Sequence, residues 1–149
     1  MPAGMSLIVK TVARLAVSFI TVFGIYIIIY GHLSPGGGFA GGTILAAGLV
    51  LLLLAFGRQR ARQIVTHETV ISWDCMGALG LAAVAVLGYV AGGFFVNFLA
   101  RGEPYHLASG GTIVLSNSAI GAKVGAGLFG MFWALAAFRS SRTTREEQP

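Results

Sequence analysis

The chain has 149 residues, of which 56% are hydrophobic and only 10% charged, and its mean hydropathy is +0.81. A water-soluble domain carries about 25% charge, so this chain lacks the polar surface to coat a core in water and reads as an all-α membrane protein. Its formal charge of +5 is gathered in clusters, which marks topology rather than affinity for nucleic acid. A single cysteine, Cys75, excludes an internal disulfide or a zinc site built from several thiolates.

Four apolar runs follow in chain order: about Leu7 to Tyr30, Phe39 to Phe56, Trp73 to Leu99, and about Ser118 to Phe138. Each approaches or exceeds the roughly 20 residues that a helix needs to cross ~30 Å of hydrocarbon. Inside lipid the helix is the structure that satisfies its own backbone. The runs predict a single four-helix transmembrane domain over residues 1–149, ending in a polar tail at 140–149. The first run is too long for a signal-peptide core and no small-x-small cleavage site follows it, so it is expected to be retained.

Basic residues set the expected orientation. Lys10 and Arg14 open the first span, Arg58, Arg60 and Arg62 follow the second, and Arg139, Arg142 and Arg145 follow the fourth. The other two loops, 31–38 and 100–117, hold only Arg101 among Lys and Arg. The positive-inside rule then places both termini in the cytoplasm. In the second loop, Thr112-Ile113-Val114-Leu115 either dips into the membrane interface or extends the last helix.

The most unusual local feature is Gly31-His32-Leu33-Ser34-Pro35-Gly36-Gly37-Gly38-Phe39-Ala40-Gly41-Gly42. Gly36 to Gly41 matches G-x-G-x-x-G in form, but no strand precedes it and no acid lies ~20 residues on, so a dinucleotide site is excluded. Pro35 stops the first helix, and the glycines permit positive φ and close backbone approach. Two readings stand: a tightly packed hairpin, or an unwound segment whose carbonyls line an ion or water path. Small residues four apart, such as Gly38 and Gly42, let the second helix pack against a neighbour.

Glycine faces recur downstream. Gly77, Gly80, Gly88 and Gly92 fall on one face of the third span with Asp74 at its edge. In the fourth, Gly121 and Gly125 lie on one side, and Gly127, Gly130 and Lys123 lie roughly opposite. Two small-residue faces on one helix imply neighbours on both sides.

The ionisable residues of the spans are few. Lys123 is expected ~22 Å from the cytoplasmic end, where a lysine costs several kcal/mol unless it snorkels, pairs or meets water. It is either structurally paired or part of a proton or cation path. Asp74, expected near the cytoplasmic end of its span, pairs with Arg14 or serves as a cation-entry carboxylate. His32 lies outside, where with His106 and Glu103 it would form a weakly cation-attracting mouth; their spacing matches no metal site. No span is expected to carry a carboxylate at its centre, as a self-sufficient proton-coupled exporter would need. No cofactor ligand set and no nucleophile–base pair are present, so neither a cofactor nor an enzymatic activity is expected.

The Gly-His-x-x-Pro-Gly-Gly-Gly-Phe-x-Gly-Gly run from Gly31 to Gly42, with Ser116-Asn117-Ser118-Ala119-Ile120-Gly121-Ala122-Lys123-Val124-Gly125-Ala126-Gly127-Leu128 opening the last span, resembles the MnhB/MrpB-type subunit of multisubunit Na⁺/H⁺ antiporters, the Mrp group. Related modules belong to energy-converting membrane hydrogenases and similar respiratory complexes. Ser34 stands where many relatives are expected to have Thr. The resemblance implies a non-catalytic subunit in the cell membrane of a prokaryote. Its partners would be the other antiporter subunits and membrane lipid, its transported ions Na⁺ and H⁺. Pro35 and Phe39 would shape the hairpin, and Lys123 would be the charged residue of the last span. Two rival readings are a purely structural subunit and a self-contained small transporter.

Overall fold

A computed structural model describes residues 5–57, 60, 61, 63, 65–99 and 105–146, without the side chains of 107, 108 and 137–146. Four helices long and apolar enough to cross a membrane carry the fold: α1 (Leu7–Ile29), α2 (Gly37–Phe56), α3 (His67–Val90) and α4 (Thr112–Glu146). There is no strand among the described residues. The chain is an all-α, multi-pass membrane protein.

The helices do not form a closed square. α2 packs between α1 and α4, and α4 packs between α2 and α3. Lipid tails are as apolar as Leu, so helices in a membrane are held by close packing rather than by the hydrophobic effect. Glycine supplies that closeness at each seam. Between α1 and α2, a methyl on Gly24 would lie 2.8 Å from Leu45 Cδ2, and one on Gly41 would overlap Ile28. Between α2 and α4, a methyl on Gly42 would lie 2.6 Å from the Gly121 carbonyl oxygen, and one on Gly38 would overlap the Asn117 carbonyl. Between α3 and α4, a methyl on Gly77 would lie 2.7 Å from the Ala119 carbonyl oxygen.

At the end nearer the α2–α3 connection the small residues give way to a conventional cluster. Leu53, Ala61, Phe129 and Trp133 are buried together, with the Phe129 and Trp133 rings edge to face at 5.5 Å. On the other side of α2, Ala13, Ala55 and Phe56 are buried. The Met5 amide donates to the Ala55 carbonyl at 3.2 Å, tying the start of α1 to the end of α2.

Two helix registers differ from the hydropathy reading. α3 occupies 67–90 rather than 73–99. It begins early because the Thr66 side chain accepts from the Thr69 amide at 3.3 Å, an N-cap that turns His67 and Glu68 into a first helical turn. It ends early because Gly92 takes φ +123°, open to glycine alone in practice, and the following segment folds back against Gly88. α4 likewise begins six residues before Ser118, since Thr112–Leu115 extends the last helix. The Asn97 Oδ1 accepts from the Thr112 amide at 3.1 Å and from its hydroxyl at 3.2 Å, capping that start. Arg58 and Arg62 of the first basic cluster, with Arg101 and Glu103, lie outside the described residues.

The α2–α4 seam leaves no room for a side chain, so Gly42→Leu is expected to force the two helices apart. Overpacking of this kind costs about 1–3 kcal/mol or more, which in a chain of this size lowers the thermal midpoint by roughly 5–10 °C. A thermal melt of the purified protein in mild detergent checks it, and an unchanged midpoint would contradict the seam.

Candidate functional site

The glycine seam between α3 and α4 does more than join two helices. With no side chain on Gly77, the α3 backbone rests on Ala119 and Lys123. Gly127, one turn beyond Lys123, leaves the Asp74 carboxylate oxygen 3.7 Å from where its own side chain would begin. Into that gap Lys123 Nζ donates a hydrogen bond to Asp74 Oδ1 at 3.0 Å. Asp74 therefore pairs with Lys123 and not with Arg14. The reason is the order of the helices: α1 packs on α2, away from α3. The Arg14 guanidinium instead lies 5.1 Å over the Phe56 ring, a cation–π contact.

The pair sits deep. Among the described residues the span on α4 covers Thr112–Ala136, and Lys123 lies eleven residues, ~16 Å, from its start. Because α3 starts at His67, Asp74 lies ~10 Å inside its helix rather than at its edge. The midpoint of α3 falls at 78–79, so Asp74 lies between the start of its helix and its centre. At this depth both side chains remain open on the surface of the chain, Lys123 by 45% and Asp74 by 39%.

The second group of polar atoms surrounds the glycine-rich hairpin at the opposite end of α2. Gly36 takes φ +98° and caps α2 with no side-chain bond. Gly31 and Gly37 close on the Asn117 amide, which would meet a methyl on Gly31 at 2.6 Å and one on Gly37 at 3.0 Å. Gly38 and Gly42 face Asn117 and Gly121, and Gly125 lies 3.3 Å from the Gly42 carbonyl by the same measure. Phe39 is exposed on the outside of the hairpin, and Pro35 is in the turn before it. His32 reaches across to the α3–α4 connection: its Nε2 lies 3.1 Å from Ser109 Oγ and 3.3 Å from the His106 carbonyl oxygen. Gly110 packs against the His32 ring.

His32, Ser34 and Asn117 each bury a polar atom (Nδ1, Oγ and Nδ2) that has no hydrogen-bond partner among the described residues. Buried polar groups are ordinarily satisfied, so three orphans at one hairpin mark it as the polar centre of an otherwise apolar bundle. Among the described residues no three His, Cys, Asp or Glu side chains converge. Sequence reasoning missed two anchoring residues. Asn97 was hidden inside the apolar run 73–99, where its lone polarity was the signal. Asn117 stands in the motif that opens the last span, where spacing alone gives it no role.

Comparison with known proteins extends this geometry. Residues 8–130 match the model of the domain related to the MnhB subunit of Na⁺/H⁺ antiporters. The chain belongs to the MnhB-related family. The matched region of this MnhB-related chain includes the hairpin, Asp74 and Lys123. An uncharacterised protein of Methanocaldococcus jannaschii is 34% identical over 125 residues, which is 79% of this chain and 45% of that protein. A Staphylococcus haemolyticus protein named as a putative mnhB2 antiporter subunit is 31% identical, over 66% of this chain and 67% of its own length. A Na⁺/H⁺ antiporter subunit of Bacillus subtilis is 41% identical over 59 residues, 40% of this chain and 41% of its own. Among solved structures, a chain of the membrane-bound sulfane sulfur reductase, an archaeal respiratory membrane complex, superposes with a TM-score of 0.75 at 31% identity. The superposition covers 91% of this chain and 62% of that one. The MnhB-related chain thus spans under half the length of the M. jannaschii relative it matches.

Removing one member of an ion pair leaves the other without its partner, whereas removing both does not. Asp74→Leu and Lys123→Leu are each expected to lower stability, and the double variant to lower it by less than the sum of the two, a coupling of ~0.5–1 kcal/mol for a part-exposed pair. A double-mutant cycle on thermal or denaturant unfolding in detergent measures it; strict additivity would show that the pair is not formed. His32→Ala is expected to release the 105–111 segment, read as at least tenfold faster amide hydrogen exchange there with α3 unchanged.

Proposed function

We propose that this chain is a small, non-catalytic membrane subunit of a multisubunit monovalent-cation/proton antiporter. In that role Asp74 and Lys123 lie on the cation- or proton-translocating region, and the bundle that the glycine seams hold together packs against larger subunits. The observation that carries the reading is the exposure of an ion pair set within two membrane-spanning helices. Ionisable side chains facing hydrocarbon cost several kcal/mol, and where they occur inside membranes they face protein or a water-filled cavity. A pair over a third exposed therefore calls for a neighbour with a polar or hydrated face. Kinship with the Na⁺/H⁺ antiporter subunit of B. subtilis supports Na⁺ and H⁺ as the ions.

A lysine that can exchange one salt-bridge partner for another suits a relay. Asp74 would hold the Lys123 ammonium in one state and release it when a cation takes its place at the carboxylate. The orphaned polar atoms of His32, Ser34 and Asn117 would serve the external mouth. The clustered basic residues favour cytoplasmic termini. The structural likeness to a chain of a respiratory membrane complex favours one second reading, the equivalent subunit in the ion-pumping arm of such a complex.

Lys123→Ala is expected to leave the complex assembled while depressing antiport at least tenfold, measured as cation-dependent pH change in everted membrane vesicles. Intact assembly with unchanged antiport would remove Lys123 from the path. Gly125→Leu, by contrast, is expected to dissociate the complex. Mass spectrometry of the gently purified particle separates the two readings: redox subunits in it would move the chain into a respiratory complex.

A further inference from the structure

The hairpin between α1 and α2 buries three polar atoms that bond to nothing among the described residues: His32 Nδ1, Ser34 Oγ and Asn117 Nδ2. The contacts around them decide which gives a proton and which takes one. His32 Nε2 lies 3.3 Å from the His106 carbonyl oxygen and 3.1 Å from Ser109 Oγ. A carbonyl only accepts, whereas a hydroxyl does either. Both contacts are satisfied at once when Nε2 carries the ring proton; with a bare Nε2 the carbonyl would face a lone pair. Nδ1 is then the unprotonated nitrogen of the neutral ring, a buried acceptor. The Asn117 amide nitrogen is a donor, and the Ser34 hydroxyl is free to be a second one.

The acceptor and the donors are gathered at one turn. The chain doubles back so tightly that a methyl on Gly31 would lie 2.6 Å from Gly37 Cα. The Asn117 carboxamide is inserted there, with Nδ2 on the Gly31 side, beside the residue before His32, and Oδ1 on the Gly37 side. Gly110 packs over Cγ and Cδ2 of the His32 ring and holds it in place. Complementary groups at one turn would bond directly if they met, and these three do not. Where such groups stop short of each other a water spans the gap, and a buried water makes about three bonds of this kind. A cation does not suit the set, because the Asn117 amide hydrogens would point at it.

We propose that the hairpin encloses one bound water, which accepts from Asn117 Nδ2 and Ser34 Oγ and donates to His32 Nδ1. The water keeps the ring proton on Nε2, where it ties the hairpin to the His106 carbonyl. Ser34 and Asn117 are thus positioning residues for the contact between the hairpin and the α3–α4 connection. The site holds whichever ion the complex moves.

The test is a map of the complex, purified from its native membrane, at a resolution that shows ordered water. It should contain one peak about 2.7–3.2 Å from each of the three atoms, unchanged when choline replaces Na⁺ in the buffer. Nitrogen-15 spectra of the complex labelled at histidine should show His32 protonated at Nε2. Ser34→Ala should speed amide exchange over 105–111 at least threefold, while Ser34→Thr, which keeps the hydroxyl, should match the parent. No peak, a peak that disappears with Na⁺, or a protein atom in its place would overturn the water site. A His32 proton on Nδ1, or equal exchange in Ser34→Ala and the parent, would overturn the water's hold on the ring.

Discussion

Everything in this bundle depends on how near two peptide backbones can come when neither carries a side chain. In water, burial would hold the helices together without close backbone contact. In a bilayer, leaving lipid for a protein neighbour gains little, and only the extra dispersion contacts of an unusually tight seam favour association. α2 and α4 reach that proximity because Gly38 and Gly42 meet Asn117, Gly121 and Gly125. The same seam fixes where α4 stands, and α4 then presents its opposite face to α3. Lys123 meets Asp74 as a consequence of glycine placed on the other side of its helix.

This dependence explains what could be read from the residues alone. Hydropathy located four spans because lipid imposes a minimum apolar length that no internal partner can shorten. The opposed faces of α4 were legible from periodicity: Gly121 and Gly125 turn to α2, while Lys123, Gly127 and Gly130 turn to α3. Register was not legible in α3. The apolar run continues past Val90, and an average over hydropathy does not register the two glycines that break the helix at 92–93. At its other end a single threonine cap outweighs the polarity of His67 and Glu68. Those few residues place Asp74 two turns inside its helix instead of at the first turn.

The partner of Asp74 was beyond sequence for a different reason. Periodicity assigns a residue to a face but does not say which helix that face meets. Arg14 and Lys123 were both available by charge, and the order of packing excluded Arg14, leaving it over the Phe56 ring. The polar centre at the hairpin was half legible. The run of glycines announced a close approach, but not that the approaching group would be the Asn117 amide from the far end of the chain.

Asn97 gives the α3–α4 connection an unexpected freedom. One carboxamide oxygen holds the first residue of α4, fifteen positions on in sequence, and also the nearby Leu99 amide. The chain between those anchors is a closed excursion. Loop-closure entropy grows only logarithmically, by ~0.6 kcal/mol for each doubling of length. Residues can therefore be gained or lost there without rotating α4 or changing the depth at which Lys123 is held. A change of length ahead of the His32 contact at 106–110 leaves the register of the helix that carries the charge where Asn97 sets it.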